Sequence, residues 1–206
     1  LVALCELIDN SIEAVKDSPK RTIAITFSSQ KQTQLLAGVS EGECRIVIED
    51  SGKGMTEDGL KQFARVAKSA NRQSRQRDSR FAFPNTSEEP FFANFEISKY
   101  GQGAKYAIYS LGPQSTVTSK VPKSSHECSV VFDRAVIQVE RADIDQWKFE
   151  FRKEEVSTKE ARQRSFTRVV ISGAAGVWTS ALCLNHVKRA LKHIYYYYVY
   201  HASKPV

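Results

Sequence analysis

The chain has 206 residues, of which 41% are hydrophobic and 26% charged, with a formal net charge of +7. That length supports one domain with a sizeable core, and the composition excludes a collagen, a coiled coil or bulk disorder. No apolar run approaches the roughly 18 residues of a membrane span, the first residues lack the basic stretch and cleavage site of a secretory signal, and the excess positive charge points to an anionic partner.

Leu1 to Lys16, LVALCELIDNSIEAVK, reads as a helix with two faces. Leu1, Leu4, Ile8, Ile12 and Val15 fall on an apolar stripe, and Glu6, Asn10 and Glu13 point away from it. Glu6 and Asn10 stand one turn apart, so a carboxylate and a carboxamide oxygen can converge on one small volume; an ordinary solvated face gives the same pattern. Pro19 ends the helix, and Arg21 to Ser29 alternates as a strand. A Gln-rich loop with Gly38 and Gly42 leads to a second strand, Cys44 to Asp50. Cys44, Ile46, Ile48 and Asp50 share one face of it, so Asp50 points toward the core, where a carboxylate is expensive without partners. Ser51 to Gly54 form a turn, and Thr56 caps a helix that ends near Lys68.

Ser69 to Phe95 has no period. Its first half is basic and its second holds five phenylalanines, the composition of a lid that docks on a ligand rather than of a linker. The run Arg65, Lys68, Arg72, Arg75, Arg77 and Arg80 faces only Asp78; such a run can touch nucleic acid or nucleotide phosphates, but a solvated loop is its commoner explanation. Tyr100 to Leu111 is a glycine-rich turn opening a helix that stops at Gly112 and Pro113. Strands follow at Ser115 to Val121, Cys128 to Val139 and Trp147 to Arg152, then an exposed charged stretch from Lys153 to Arg164. A strand at Phe166 to Gly173 and one long helix from Thr179 to about Tyr200 close the chain. Consecutive strands without intervening helices predict a two-layer α/β (α+β) sandwich with a mixed, largely antiparallel sheet. Cys5, Cys44, Cys128 and Cys183 form no CxxC pair and read as reduced thiols of a cytosolic or nuclear protein, and the histidines lack metal-ligand spacing. Tyr195 to Tyr198 radiate around a helix and read as core and rim packing, not as a stacking platform.

Three pieces carry chemistry: ELIDN at 6–10, DSGKGM at 50–55 and YGQGAK at 100–105. The second lets backbone approach a flat ligand while Asp50 accepts from an exocyclic amine, or is a tight acidic turn. The third offers N–H groups at a helix start, with Lys105 as a cation for phosphate, or is a plain glycine-rich helix start. Each piece lands in its required context of helix, strand end and helix N-terminus.

In this order the three pieces resemble the motifs of the GHKL ATPases, the superfamily of gyrase, heat-shock chaperones, histidine kinases and MutL. The resemblance implies a Bergerat-type fold over residues 1–206 as a single, N-terminally truncated domain. Its lid spans about 69–99, and its later strands and closing helix span 114–206. It implies ATP and Mg²⁺ as cofactors, Glu6 as the general base for water and Asn10 as the Mg²⁺ ligand. Asp50 is implied at the adenine amine, with Gly52, Gly54, Met55 and Thr167 around the base and Gly101, Gly103 and Lys105 on the phosphates. Phe166 stands where the family more often has glycine before that threonine. Within the superfamily, ELIDNSIEA, DSGKGMT, SKYGQGAKYA and HVKRALKHIYYYY look most like the ATPase regions of the structural-maintenance-of-chromosomes flexible-hinge type, with the Microrchidia type next. That likeness implies a chromatin-associated nuclear ATPase gating homodimerisation on ATP binding, with DNA or chromatin as partner of the full-length protein and no membrane. A nucleotide-gated interaction module with little or no hydrolysis is the alternative.

Overall fold

The structure, a computed structural model, describes residues 1–30, 43–64, 103–134 and 149–201. Six strands form one sheet: β1 (Ile23–Gln30), β2 (Glu43–Asp50), β3 (Gln114–Lys120), β4 (His126–Asp133), β5 (Glu150–Glu155) and β6 (Phe166–Ala174). Their order is β1-β2-β6-β3-β4-β5, and every pairing among the described strands is antiparallel. The last strand in sequence thus lies between β2 and β3. Its insertion puts Thr167 opposite Asp50 on one side and Ser119 on the other.

The helices are α1 (Val2–Val15), α2 (Glu57–Ala64), α3 (Gly103–Leu111), the short α4 (Lys159–Gln163), α5 (Ala181–Ile194) and α6 (Tyr196–His201). α1, α2 and α3 cover one face of the sheet because each carries an apolar stripe that matches the inward residues of the strands. Leu4, Leu7 and Ile8 of α1, Leu60 of α2 and Ile108 of α3 bury against Ile46, Ile48, Val117, Val130, Phe132 and Ile171. Removing one such side chain from water is worth about 2 kcal/mol. The alternation in β2 is complete, since Cys44, Ile46, Ile48 and Asp50 are all buried. On the other face Glu49 pairs with Arg168 at 2.6 Å and with Arg164 at 3.1 Å.

Several boundaries differ from the sequence reading. The buried stripe of α1 includes Leu7 and Ser11, while Leu1 stays exposed. The fourth strand begins at His126, earlier than expected, and the fifth runs from Glu150 to Glu155, past the expected end at Arg152. The single closing helix is instead a 3-10 turn, Gly176–Thr179, then α5 and α6 broken at Tyr195. The break follows burial: Tyr195 is 7% exposed and its hydroxyl donates to Asp9 Oδ1 at 2.7 Å, while Tyr196, Tyr197 and Tyr198 face solvent. Trp178 stacks on Phe27 with centroids 5.9 Å apart. The expected lid, the basic run Arg65–Arg80, Gly101 and Trp147 lie outside the described residues.

Candidate nucleotide site

The site is built where α1, the turn after β2 and the start of α3 meet. Thr56 caps α2 by accepting from the Gly59 N–H at 3.1 Å, which ends the turn. The turn itself is tied down at both sides. A Cβ on Gly52 would lie 2.7 Å from the Ala14 carbonyl oxygen of α1, and the Lys53 N–H donates to that same oxygen at 3.3 Å. Gly54 has φ +68° and abuts the Lys120 carbonyl oxygen at the end of β3. The sequence reading gave these glycines to ligand approach. In the structure the space their side chains would fill holds protein backbone, so they join α1 to β3 and thereby fix Asp50 and Met55.

Asp50 is 4% exposed. Its carboxylate accepts from the Gly52 N–H at 2.9 Å, from the Ser11 hydroxyl and from the Thr167 N–H. Burial pushes its pKa from 3.8 up to about 6, with those three donors pulling the other way. The group is therefore an ionised, acceptor-only carboxylate at neutral pH. Three donors leave roughly one of its four lone-pair positions for a ligand. Beside it, Ser119 Oγ accepts from the Met55 N–H at 2.8 Å and lies 2.9 Å from Thr167 Oγ1. Asp50, Thr167 and Ser119 thus form a row across three strands, on the face that the helices cover.

At the other end, Glu6 lies directly against Gly103, the first residue of α3, where any side chain at 103 would meet its carboxylate. A helix N-terminus favours an anion there. Asn10 Nδ2 donates to the Glu6 carbonyl oxygen one turn back, which leaves its amide oxygen without a hydrogen bond among the described residues. A carboxamide oxygen one helical turn from a carboxylate suits a hard cation such as Mg²⁺, so the donor set fits the implied ion. Lys105 behaves differently. Residues two apart on a helix point to opposite sides, and Lys105 is 5% exposed with its ammonium 5.2 Å from the Phe63 ring centroid. Burial lowers its pKa from 10.5 to about 8. The structure therefore brings Glu6 and Gly103 together and turns Lys105 inward.

Ser11 and Ser119 escaped the sequence reading. The signal for Ser11 was its place at the fourth position after Leu7 on the buried stripe, where a lone polar residue asks for a partner. Ser119 carries no local signal, because its partners come from the turn after β2 and from β6.

The sequence pattern that defines the family described as histidine kinase-, DNA gyrase B-, and HSP90-like ATPase matches residues 1–165. The structural maintenance of chromosomes flexible hinge domain-containing protein 1 of Homo sapiens is 27% identical over 220 residues, and that of Mus musculus 27% over 221. Each comparison covers 96% of this chain and 11% of the relative, so the chain spans about a tenth of the length of these proteins.

Proposed function

The chain belongs to the histidine kinase-, DNA gyrase B- and HSP90-like ATPase family, and on that footing we propose that it binds Mg²⁺-ATP between α1, α3 and the sheet and hydrolyses it to ADP and phosphate. The observation that carries this reading is the buried Asp50 carboxylate, held by Ser11, Gly52 and Thr167 with acceptor capacity to spare, on the same helix-covered face as Glu6, Asn10 and Gly103. Asp50 takes the adenine amine, with Thr167 beside it and the turn of Gly52, Gly54 and Met55 under the base. Gly101, Gly103 and the backbone at Lys105 receive the phosphates, and the Lys105 ammonium joins them on leaving Phe63.

Glu6 takes the proton of the attacking water, and its place at the start of α3 keeps it beside the phosphates. Asn10 offers its oxygen to Mg²⁺, which when bound supplies charge neutralisation on the phosphate oxygens. Calorimetric titration with ATP, with and without Mg²⁺, tests the pocket: binding should require the metal and vanish in Asp50→Ala. Glu6→Ala should bind ATP and fail to turn it over, and equal hydrolysis by the two proteins would refute the assignment.

A second reading is a nucleotide-gated interaction module without turnover. It is favoured by the inward Lys105 and by Glu6 lying on the helix start that phosphates would approach. Metal-dependent ATP binding with no phosphate release would select it. The relatives' names speak of the maintenance of chromosomes and favour a chromatin-associated role; the resemblance of the motifs adds nuclear residence, ATP binding that gates homodimerisation and DNA or chromatin engaged by a longer protein, with a Microrchidia-type ATPase as the nearest variant. Chain mass in solution with and without ATP tests the dimer.

A further inference from the structure

The hydroxyl hydrogens at the adenine end of the site can be assigned by counting donors. Ser119 Oγ lies 2.8 Å from the Met55 nitrogen, 3.0 Å from the Phe166 carbonyl oxygen and 2.9 Å from Thr167 Oγ1. Serine has one hydrogen and two lone pairs; the Met55 amide can only donate and the Phe166 carbonyl can only accept. If the Ser119 hydrogen went to Thr167, two oxygens would face each other through lone pairs at a residue 1% exposed, with no solvent to intervene. The arrangement that satisfies all three contacts has Ser119 donating to Phe166 and Thr167 donating to Ser119. Thr167, half-buried at the edge of the site, then shows a ligand lone pairs only. Directly opposite it in the sheet stands Asp50, also an acceptor.

We propose that Ser119 is the positioning residue that sets the choice of base: by holding the Thr167 hydrogen it leaves two acceptors, Thr167 and Asp50, which select a purine with an exocyclic amine and reject one with a carbonyl at that place. The inference rests on the nucleotide reading above and adds to it the source of discrimination between 6-amino and 6-oxo purines. Without Ser119, the Thr167 hydroxyl is free to rotate and donate to a carbonyl.

The test is titration of the whole chain with ATP and with inosine triphosphate, for wild type, Ser119→Ala, Thr167→Val and the double variant. Wild type should prefer ATP, and Ser119→Ala should narrow the ratio roughly five- to tenfold, the worth of one oriented hydrogen bond. Thr167→Val should narrow it as well, and adding Ser119→Ala to it should change the ratio no further. Equal weakening of both nucleotides in Ser119→Ala would mean that the serine only supports the fold, and would overturn the proposal. Full discrimination in Thr167→Val overturns it even if Ser119→Ala fails to fold. Wild type binding neither nucleotide would sink the nucleotide reading itself and this inference with it, whereas strong ATP binding with an unchanged ratio in both variants sinks this inference alone.

Discussion

Substituting Asn for Asp50 exchanges a carboxylate 4% exposed for a neutral amide of nearly the same shape. The folded protein lifts the Asp50 pKa from 3.8 to about 6. Below pH 3.8 the group is protonated in both folded and unfolded chains and costs nothing. Between 3.8 and about 6 the unfolded chain releases its proton while the native state still holds it, so stability falls as pH rises. Above about 6 the loss is complete, and it amounts to roughly 3 kcal/mol. The Asn variant has no such term. Its amide N–H₂ must face donors from Gly52 and Thr167, a cost of about 1–3 kcal/mol that does not depend on pH.

The measurement is urea unfolding of both proteins at pH 4, 5, 6 and 7. Wild type should lose about 2.4 kcal/mol relative to Asp50→Asn across that range, most of it between pH 4 and 6. Asp9, whose pKa burial also raises, is common to both and cancels. A difference that stays flat with pH would refute the claim that Asp50 is a desolvated carboxylate, and with it the argument that a stability cost is sustained there for ligand recognition.

Three further substitutions probe the frame of the site. Gly54→Ala forces a side chain into a φ of +68° and onto the Lys120 carbonyl, and should cost on the order of 3 kcal/mol, read as a lowered Tm. Gly103→Ala meets first the exposed end of Glu6, which can swing aside; stability should stay within about 1 kcal/mol while ATP turnover falls, because the displaced carboxylate is the proposed base. Tyr195→Phe removes the bonds to Asp9 Oδ1 and the Cys5 carbonyl, and should cost about 1–2 kcal/mol and raise the Asp9 pKa further, measurable by NMR titration.

What the sequence makes legible is what repeats at short range. The alternation from Cys44 to Asp50 announces a strand with its acid turned inward, and the structure buries that acid. Glu6 and Asn10 are neighbours by helical period alone, and Gly112 with Pro113 stops a helix where the structure stops it. What is not legible depends on chain segments far apart. That the Lys105 ammonium packs over Phe63 depends on α2, which no spacing around Lys105 announces. That Gly52 abuts Ala14 and Gly54 abuts Lys120 is likewise set by α1 and β3, far away in the chain. The break at Tyr195 is invisible in a run of tyrosines, because only the one that meets Asp9 is pulled into the core. Lys120, 2% exposed, donates to the Arg162 and Arg164 carbonyls at 2.7 Å each, which no spacing in its own strand suggests.

The burial of Lys105 acts in the sense opposite to that of Asp50 in pH. The native state lowers its pKa from 10.5 to about 8, so the unfolded chain binds the extra proton between those values. Stability therefore falls as pH drops from 10.5 toward 8, and the full cost, roughly 3 kcal/mol, is present at neutral pH. Lys105→Met keeps the length and the contact with Phe63 without the charge, so wild type should gain on it, by about 3 kcal/mol, as pH rises from 7 to 10.5. Thermal unfolding at the two pH values measures this. Nucleotide decides what the cost is for. If the ammonium leaves Phe63 for the phosphates, Mg²⁺-ATP stabilises wild type more than Lys105→Met, and the difference at pH 7 shifts toward wild type. A difference untouched by saturating nucleotide would mean that the amine stays in the core and that the phosphates are held by the backbone at the start of α3 alone.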